Sequence, residues 1–129
     1  MRDLKLINLD RIQETEDHDL EGAIRLADLI LDLGIWTVPI AIEHSTFAIM
    51  DGHHRLNAAK LLSLSRVPCV LMDYNKSGVV VRSWRTDWDI SVANIFLMIQ
   101  KNEKYPLKTT RHLFNPPIQE VEIPLSLLY

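Results

Sequence analysis

The rhythm of apolar and polar positions changes often along this chain, and the changes mark out its elements. Leu4 to Ile7 alternates and predicts a first strand. Leu9, Ile12 and the polar run 13–19 predict a loop in which Asp17 or Asp19 caps the next helix. That helix is expected to reach about Leu33, with Leu20, Ala23, Ile24, Ala27, Ile30 and Leu31 on its apolar face and Gly34 as its stop. Residues 36–39 read as a linker. Ile40–Glu43 and Phe47–Met50 read as a hairpin turned by His44-Ser45-Thr46. After a turn over Asp51–Arg55, a second helix runs to about Ser63, with Leu56, Ala58, Ala59, Leu61 and Leu62 available for burial. Val67–Tyr74 is strongly apolar and predicts a central strand, with Pro68 tolerated at its start. Residues 75–78 turn the chain into a Val79–Trp84 strand. A third helix, capped by Asp89, continues to about Asn102, with Val92, Ile95, Phe96 and Ile99 facing inward, and Tyr105-Pro106 breaks it. Thr109 or Thr110 would cap a short helix through Leu113. Asn115-Pro116-Pro117 marks a loop, Val121–Ile123 a last short strand, and 124–129 an apolar tail. Strands and helices mix without strict alternation, which predicts a compact α+β domain with a small mixed sheet and about three helices.

Composition narrows the class. The 129 residues suffice for one domain, 1–129, with one core. Apolar residues make up 47% and charged residues 24%, a globular balance. The formal charge of -3 leaves no footprint for non-specific binding to nucleic acid or to a membrane surface. Cys69 is the only cysteine, so neither an intrachain disulfide nor a cysteine zinc cluster can form, which fits a reducing cytosol. The first residues carry no secretory h-region, and the apolar runs are too short to span a bilayer. A cytoplasmic location is therefore expected.

The densest chemistry lies in the turn Asp51-Gly52-His53-His54-Arg55. A strand, a glycine turn and a helix start present free backbone N–H groups to an anion, and glycine lets a ligand come close to the backbone. Arg55 adds a fork matched to phosphate oxygens. Asp51 could serve as acid/base or metal-binding carboxylate at the mouth, or it could simply N-cap the helix. Three polar, potentially cationic side chains crowd a helix start, where the macrodipole disfavours positive charge, and a broken local rule of this kind often marks a site.

Two further segments carry candidate chemistry. Lys108-Thr109-Thr110-Arg111-His112 offers two cations, two hydroxyls and an imidazole, which suits an oxyanion but equally a solvated turn. Glu14-Thr15-Glu16, read on its residues alone, is an acidic helix entrance.

Asp-Gly-His-His-Arg at 51–55 resembles the signature of the ParB/sulfiredoxin-like superfamily, and the closest resemblance is to its free L-serine kinase branch. Lys-Thr-Thr-Arg-His at 108–112 and the Thr-Glu of 15–16 are similar to further segments of that branch. The resemblance implies phosphoryl transfer from ATP or ADP, with Mg²⁺, to the hydroxyl of L-serine. It implies Glu16 as catalytic base, with Glu14 as the other choice, and Asp51 and His53 beside the reacting groups. Gly52, His53, His54 and Arg55 would hold nucleotide phosphates, and Asp51 the metal. Trp84, Thr110, Arg111 and His112, with Lys108 less central, would meet serine or phosphoserine. The same turn is compatible with a ParB-type, CTP-controlled DNA-associated module, though the charge argues against DNA, and with a non-catalytic phospho-amino-acid binder. Sulfiredoxin-like chemistry needs a cysteine in the turn, where this chain has histidines. A His-His metal site is disfavoured because adjacent side chains diverge.

Overall fold

The computed structural model of the chain describes residues 3–76, 78–84, 90–106 and 109–129. In chain order its elements are β1 (Asp3–Asn8), α1 (Leu20–Leu33), β2 (Ile35–Trp36), β3 (Ile40–Glu43), β4 (Ile49–Asp51), α2 (His53–Leu61), β5 (Arg66–Met72), β6 (Val79–Ser83), α3 (Val92–Gln100), β7 (Thr110–Phe114) and β8 (Ile123–Pro124). The α+β class expected from the sequence is the class observed. A four-stranded mixed sheet has the order β1-β5-β3-β4, and β6-β7 and β2-β8 form two small antiparallel pairs.

β5 is central because Val67, Pro68, Cys69, Val70 and Met72 are all buried, which suits a strand covered on both faces. It runs antiparallel to β1 and parallel to β3. β3 turns into β4 with a register shift, so β4 covers Ile49–Asp51 rather than Phe47–Met50, and Phe47 takes φ +60 in the connection.

Local chemistry sets the helix ends. Asp19, not Asp17, caps α1: its carboxylate accepts the Glu21 N–H at 3.2 Å. Gly34 ends the helix at φ +71, where its N–H reaches the Ile30 carbonyl. The buried stripe of α1 is narrower than expected. Ala23, Ala27 and Ile30 face the core, whereas Leu20, Ile24 and Leu31 are exposed. The reason is that α1 packs mainly on α2, whose Leu56, Ala58 and Ala59 are fully buried. Leu61 is likewise exposed.

Four expectations are corrected. The stretch read as a linker begins as β2, and Trp36 pairs with Ile123 of β8 and is buried. Accordingly, the last short strand is Ile123–Pro124 rather than Val121–Ile123. α3 starts at Val92 under a Ser91 cap whose hydroxyl accepts the Asn94 N–H at 3.1 Å; Asp89, expected as its cap, lies outside the described residues, as do Ser77 and Lys108. The run 110–114 is a strand, not a short helix, because β6 supplies an antiparallel partner from Val79↔Phe114 to Ser83↔Thr110. Among the described residues, no helix is long and apolar enough to cross a membrane.

Candidate active site

Three segments far apart in sequence meet at a cavity of about 370 Å³. The loop before α1 contributes Glu16 and Asp17. The β4–α2 turn contributes Met50 and the whole run Asp51–Arg55. The β6–β7 pair contributes Trp84, Thr110, Arg111 and His112. Of the described residues that the sequence assigned to catalysis, phosphate holding or serine binding, the fold brings all but Glu14 to this cavity.

The β4–α2 turn exposes the start of α2. Gly52 is the N-cap residue at φ +121, a conformation that suits glycine, and no side chain caps the helix. A Cβ at Gly52 would meet the Ile40 side chain at 3.0 Å. Asp51 therefore does not cap α2, and its carboxylate stays exposed at the mouth, 3.3 Å from the Arg55 guanidinium. Arg55 is partly committed: Nη1 donates to the carbonyls of Val38 (3.2 Å) and Pro39 (2.7 Å), and Nη2 to Asp51. Those bonds aim the side chain and leave Nε–H and one Nη2 hydrogen for a ligand.

The two histidines diverge, and each accepts a backbone N–H from the loop before α1. His53 Nε2 accepts the Thr15 N–H at 3.0 Å, and His54 Nε2 accepts the Asp19 N–H at 3.1 Å. A ring nitrogen that accepts a backbone N–H is unprotonated. His53 therefore carries its proton on Nδ1, which lies 3.9 Å from Glu16 Oε2. Burial drives the His53 imidazole down to about 3, against the pull of Glu14. A neutral His53 removes the conflict with the helix dipole that the sequence raised. His54 lies over α1, where a Cβ on Gly22 would come within 3.0 Å of the ring.

Glu16 is buried, and its carboxylate faces the cavity from below. Oε1 accepts the N–H groups of Thr109 and Thr110, the latter at 3.2 Å, and Oε2 lies 3.4 Å from the Thr110 hydroxyl. Backbone pairing of Thr15 and Asp17 with Tyr105 fixes the segment that carries it. Glu14 is placed differently. It does not line the cavity, and it is bound by Asn57 (2.7 Å), Lys60 (3.2 Å) and Lys104 (3.7 Å). Burial works to raise the Glu14 carboxyl, but the Asn57 hydrogen bond and the Lys60 charge outweigh it and hold it below the usual value. Geometry separates the two acids that the sequence left open: Glu14 ties the loop to α2, and Glu16 faces the cavity.

On the far wall, the Arg111 guanidinium sits 4.4 Å from the centroid of the exposed Trp84 ring. His112 Nε2 is 2.9 Å from the Tyr74 hydroxyl, and its Nδ1 is buried with no hydrogen-bond partner. Burial pushes this imidazole down to about 4, with Asp51 pulling the other way. Cys69 takes no part: it is buried in β5, and burial pushes its thiol up to about 12.

Sequence reasoning missed Thr15, Asn57, Tyr74 and Tyr105. Each is a second layer behind a cavity residue. The one local signal was Thr15, directly before Glu16.

A free serine kinase mutant solved in complex with AMP superposes on this chain with a TM-score of 0.90, over 98% of this chain and 94% of that one, at 14% identity. This chain has the free serine kinase fold. At that identity the likeness is one of fold. Likeness in sequence comes from other proteins. An ATP-dependent L-serine kinase of Desulfurococcus mucosus is 31% identical over 80 residues, 62% of this chain and 31% of that protein. A ParB-like protein of Sulfolobus acidocaldarius is 41% identical over 46 residues, 36% of this chain and 23% of that protein. The matches thus span a third or less of these curated relatives' own length. No protein-family model matches the chain. The likenesses agree with the ParB/sulfiredoxin-like, serine-kinase branch that the 51–55 motif resembles. Within the free serine kinase fold, the cavity described above is lined by Glu16 and Asp17 of the loop before α1, the β4–α2 turn, Trp84 and the start of β7.

Proposed function

We propose that this chain transfers a phosphoryl group from a nucleotide to the hydroxyl of free L-serine, giving O-phospho-L-serine. The observation that carries the reading is a buried carboxylate, Glu16, facing an open helix N-terminus and an Arg111–Trp84 wall across one cavity. Curated relatives named ATP-dependent L-serine kinases support it, as do free serine kinase structures in complex with ADP or AMP.

Phosphoryl transfer asks a protein chiefly for positioning and charge stabilisation. The N–H groups of the α2 start and the free donors of Arg55 would hold the donor phosphates, with His54 bordering them. Glu16 accepts the proton of the serine hydroxyl. That oxygen forms a bond to the terminal phosphorus, and the bond from phosphorus to the bridging oxygen breaks. The nucleotide leaves one phosphate shorter, ADP from ATP or AMP from ADP. His53, neutral with Nδ1 3.9 Å from Glu16 Oε2, stands beside the carboxylate, which the Thr109 and Thr110 N–H groups orient. Arg111, Thr110 and His112 hold the serine, and Trp84 forms the wall.

Mg²⁺ fits this donor set. Magnesium is commonly held by one or two carboxylates together with substrate phosphates, and Asp51 offers an exposed hard-oxygen ligand at the mouth. Among the described residues no cluster of three ligating side chains exists, so the phosphates would complete the shell. When bound, the ion would supply neutralisation of phosphate charge.

Glu16→Gln tests the reading. It keeps an acceptor for the Thr109 and Thr110 N–H groups but cannot take a proton. Transfer should fall by about 100- to 10,000-fold while nucleotide affinity stays within about threefold. Unchanged transfer removes Glu16 from the mechanism. The ParB-like relative favours a second reading, a DNA-associated nucleotide-binding module. Retention on DNA that weakens steeply with salt would support that one instead.

A further inference from the structure

The wall formed by β7 contains a feature that the proposed transfer does not by itself explain. His112 Nδ1 is the one buried side-chain polar atom among the described residues that has no hydrogen-bond partner. Buried polar groups are nearly always satisfied, and an orphan beside a cavity calls for a physical explanation, a functional role among them. His112 borders the cavity. Its other nitrogen, Nε2, meets the Tyr74 hydroxyl at 2.9 Å.

That second contact decides what the orphan can do. Among the described residues the Tyr74 hydroxyl has a single hydrogen-bond partner, His112 Nε2. Burial raises the phenol well above its ordinary value, so the O–H keeps its proton. If Nε2 were the donor, the phenol proton would have no acceptor and Nδ1 would be a buried lone pair with no donor. Two buried groups would then go unsatisfied, each costing about 1–3 kcal/mol. If the phenol donates to Nε2, both atoms of that contact are satisfied and the imidazole proton sits on Nδ1. The ring is held in place from both sides. Tyr74 packs edge-on against Phe96 with centroids 5.8 Å apart, and Phe114 stacks on His112 at 14°.

We propose that Tyr74 is a positioning residue that fixes the His112 proton on Nδ1, so that the cavity presents a neutral N–H donor to an anionic oxygen of the bound amino acid. The partner is therefore an acceptor group, the carboxylate of serine or the phosphate of phosphoserine, and not the α-ammonium. A neutral donor discriminates by direction, whereas Arg111 beside it supplies charge. The identity of the ligand rests on the serine kinase reading; the assignment of the proton does not.

The experiment is ¹⁵N NMR of the imidazoles in the full chain, with His112 assigned by its loss in His112→Asn. In the unmodified protein His112 should show the Nδ1–H tautomer. In Tyr74→Phe, which keeps the ring packing, it should move towards the Nε2–H form that free imidazole side chains prefer. L-serine and O-phosphoserine are then added separately. The one whose anionic group takes the bond moves the Nδ1–H proton signal downfield, and L-serinamide, which lacks the carboxylate, separates the two sources. In steady state, Tyr74→Phe should raise the KM for serine about tenfold with kcat within about threefold. His112→Asn, whose amide N–H can stand where Nδ1–H stood, should keep more serine affinity than His112→Gln. An Nε2–H tautomer in the unmodified protein, or an unchanged tautomer in Tyr74→Phe, overturns the proposal. If no transfer occurs but the tautomer behaves as stated, the serine kinase reading fails and the proton assignment stands.

Discussion

His53→Ala probes how the site is held, and its cost follows from the structure. Thr15 is buried and donates its backbone N–H to His53 Nε2 at 3.0 Å. Without the ring that N–H is buried and unsatisfied, at about 1–3 kcal/mol. The ring itself is 7% exposed, and the volume it vacates adds about 1 kcal/mol or more. A neutral imidazole at pH 7 means that no charge interaction is lost in the exchange. The expected destabilisation is about 2–4 kcal/mol, a large share of a typical domain's 5–15 kcal/mol. Urea unfolding at pH 7 reads this as a lower midpoint at unchanged slope. Amide hydrogen exchange should show the Thr15 N–H losing protection. His53→Gln, whose longer side chain can bring an oxygen near the Nε2 position, should lose less. A cost under about 0.5 kcal/mol, or a Thr15 amide that exchanges as before, would refute the idea that the histidine bolts the Glu16 loop in place.

Other outcomes follow from the same geometry. Gly52→Ala places a side chain at φ +121 and 3.0 Å from Ile40, so it should destabilise by about 2–4 kcal/mol and slow transfer; a stable Gly52→Ala would contradict the fixed turn. His53 and His112 are both held below their ordinary 6.5, at about 3 and about 4. Between those values and 6.5 the unfolded chain binds more protons than the folded one. Stability should therefore rise with pH across that window and fall as acid is added, by up to about 1.4 kcal/mol per pH unit for each histidine. Urea midpoints that are flat from pH 7 to pH 5 would contradict this. Arg111→Ala should raise the serine KM by about 10- to 100-fold and leave the nucleotide KM alone, whereas an unaltered serine dependence would remove it from the amino-acid side of the cavity.

Much of the architecture was legible because it is written in local chemistry. Asp19 and Gly34 bracket α1, and the apolar run of β5 announces a strand buried on both faces. β7 was missed because Thr109-Thr110 reads as a helix cap, and only the distant pairing with β6 makes the segment extended. β2 was missed because two residues carry no periodicity, and their partner lies in β8. The exposed Leu20, Ile24 and Leu31 show the limit of periodicity: it finds the helix but not how wide a face its neighbour covers.

At the site, motif residues drew attention to the β4–α2 turn, to Glu16 and to 110–112, and folding gathers those segments around one cavity. What the sequence could not show is how they are held. Thr15 and Tyr74 each act on a histidine 38 residues away, and no local pattern encodes a contact at that separation. The roles of the two histidines could not be read from adjacency either. Only the fold turns His53 and His54 into acceptors for the loop N–H groups of Thr15 and Asp19.

The most direct measurement is phosphorus NMR of the purified protein with Mg²⁺, L-serine and either ATP or ADP. A growing O-phosphoserine signal, matched by loss of the donor's terminal phosphate and absent in Glu16→Gln, is the expected result and identifies the donor at once. No phosphoserine with either nucleotide, from protein that is folded and binds nucleotide, would contradict serine phosphorylation as the work of this cavity.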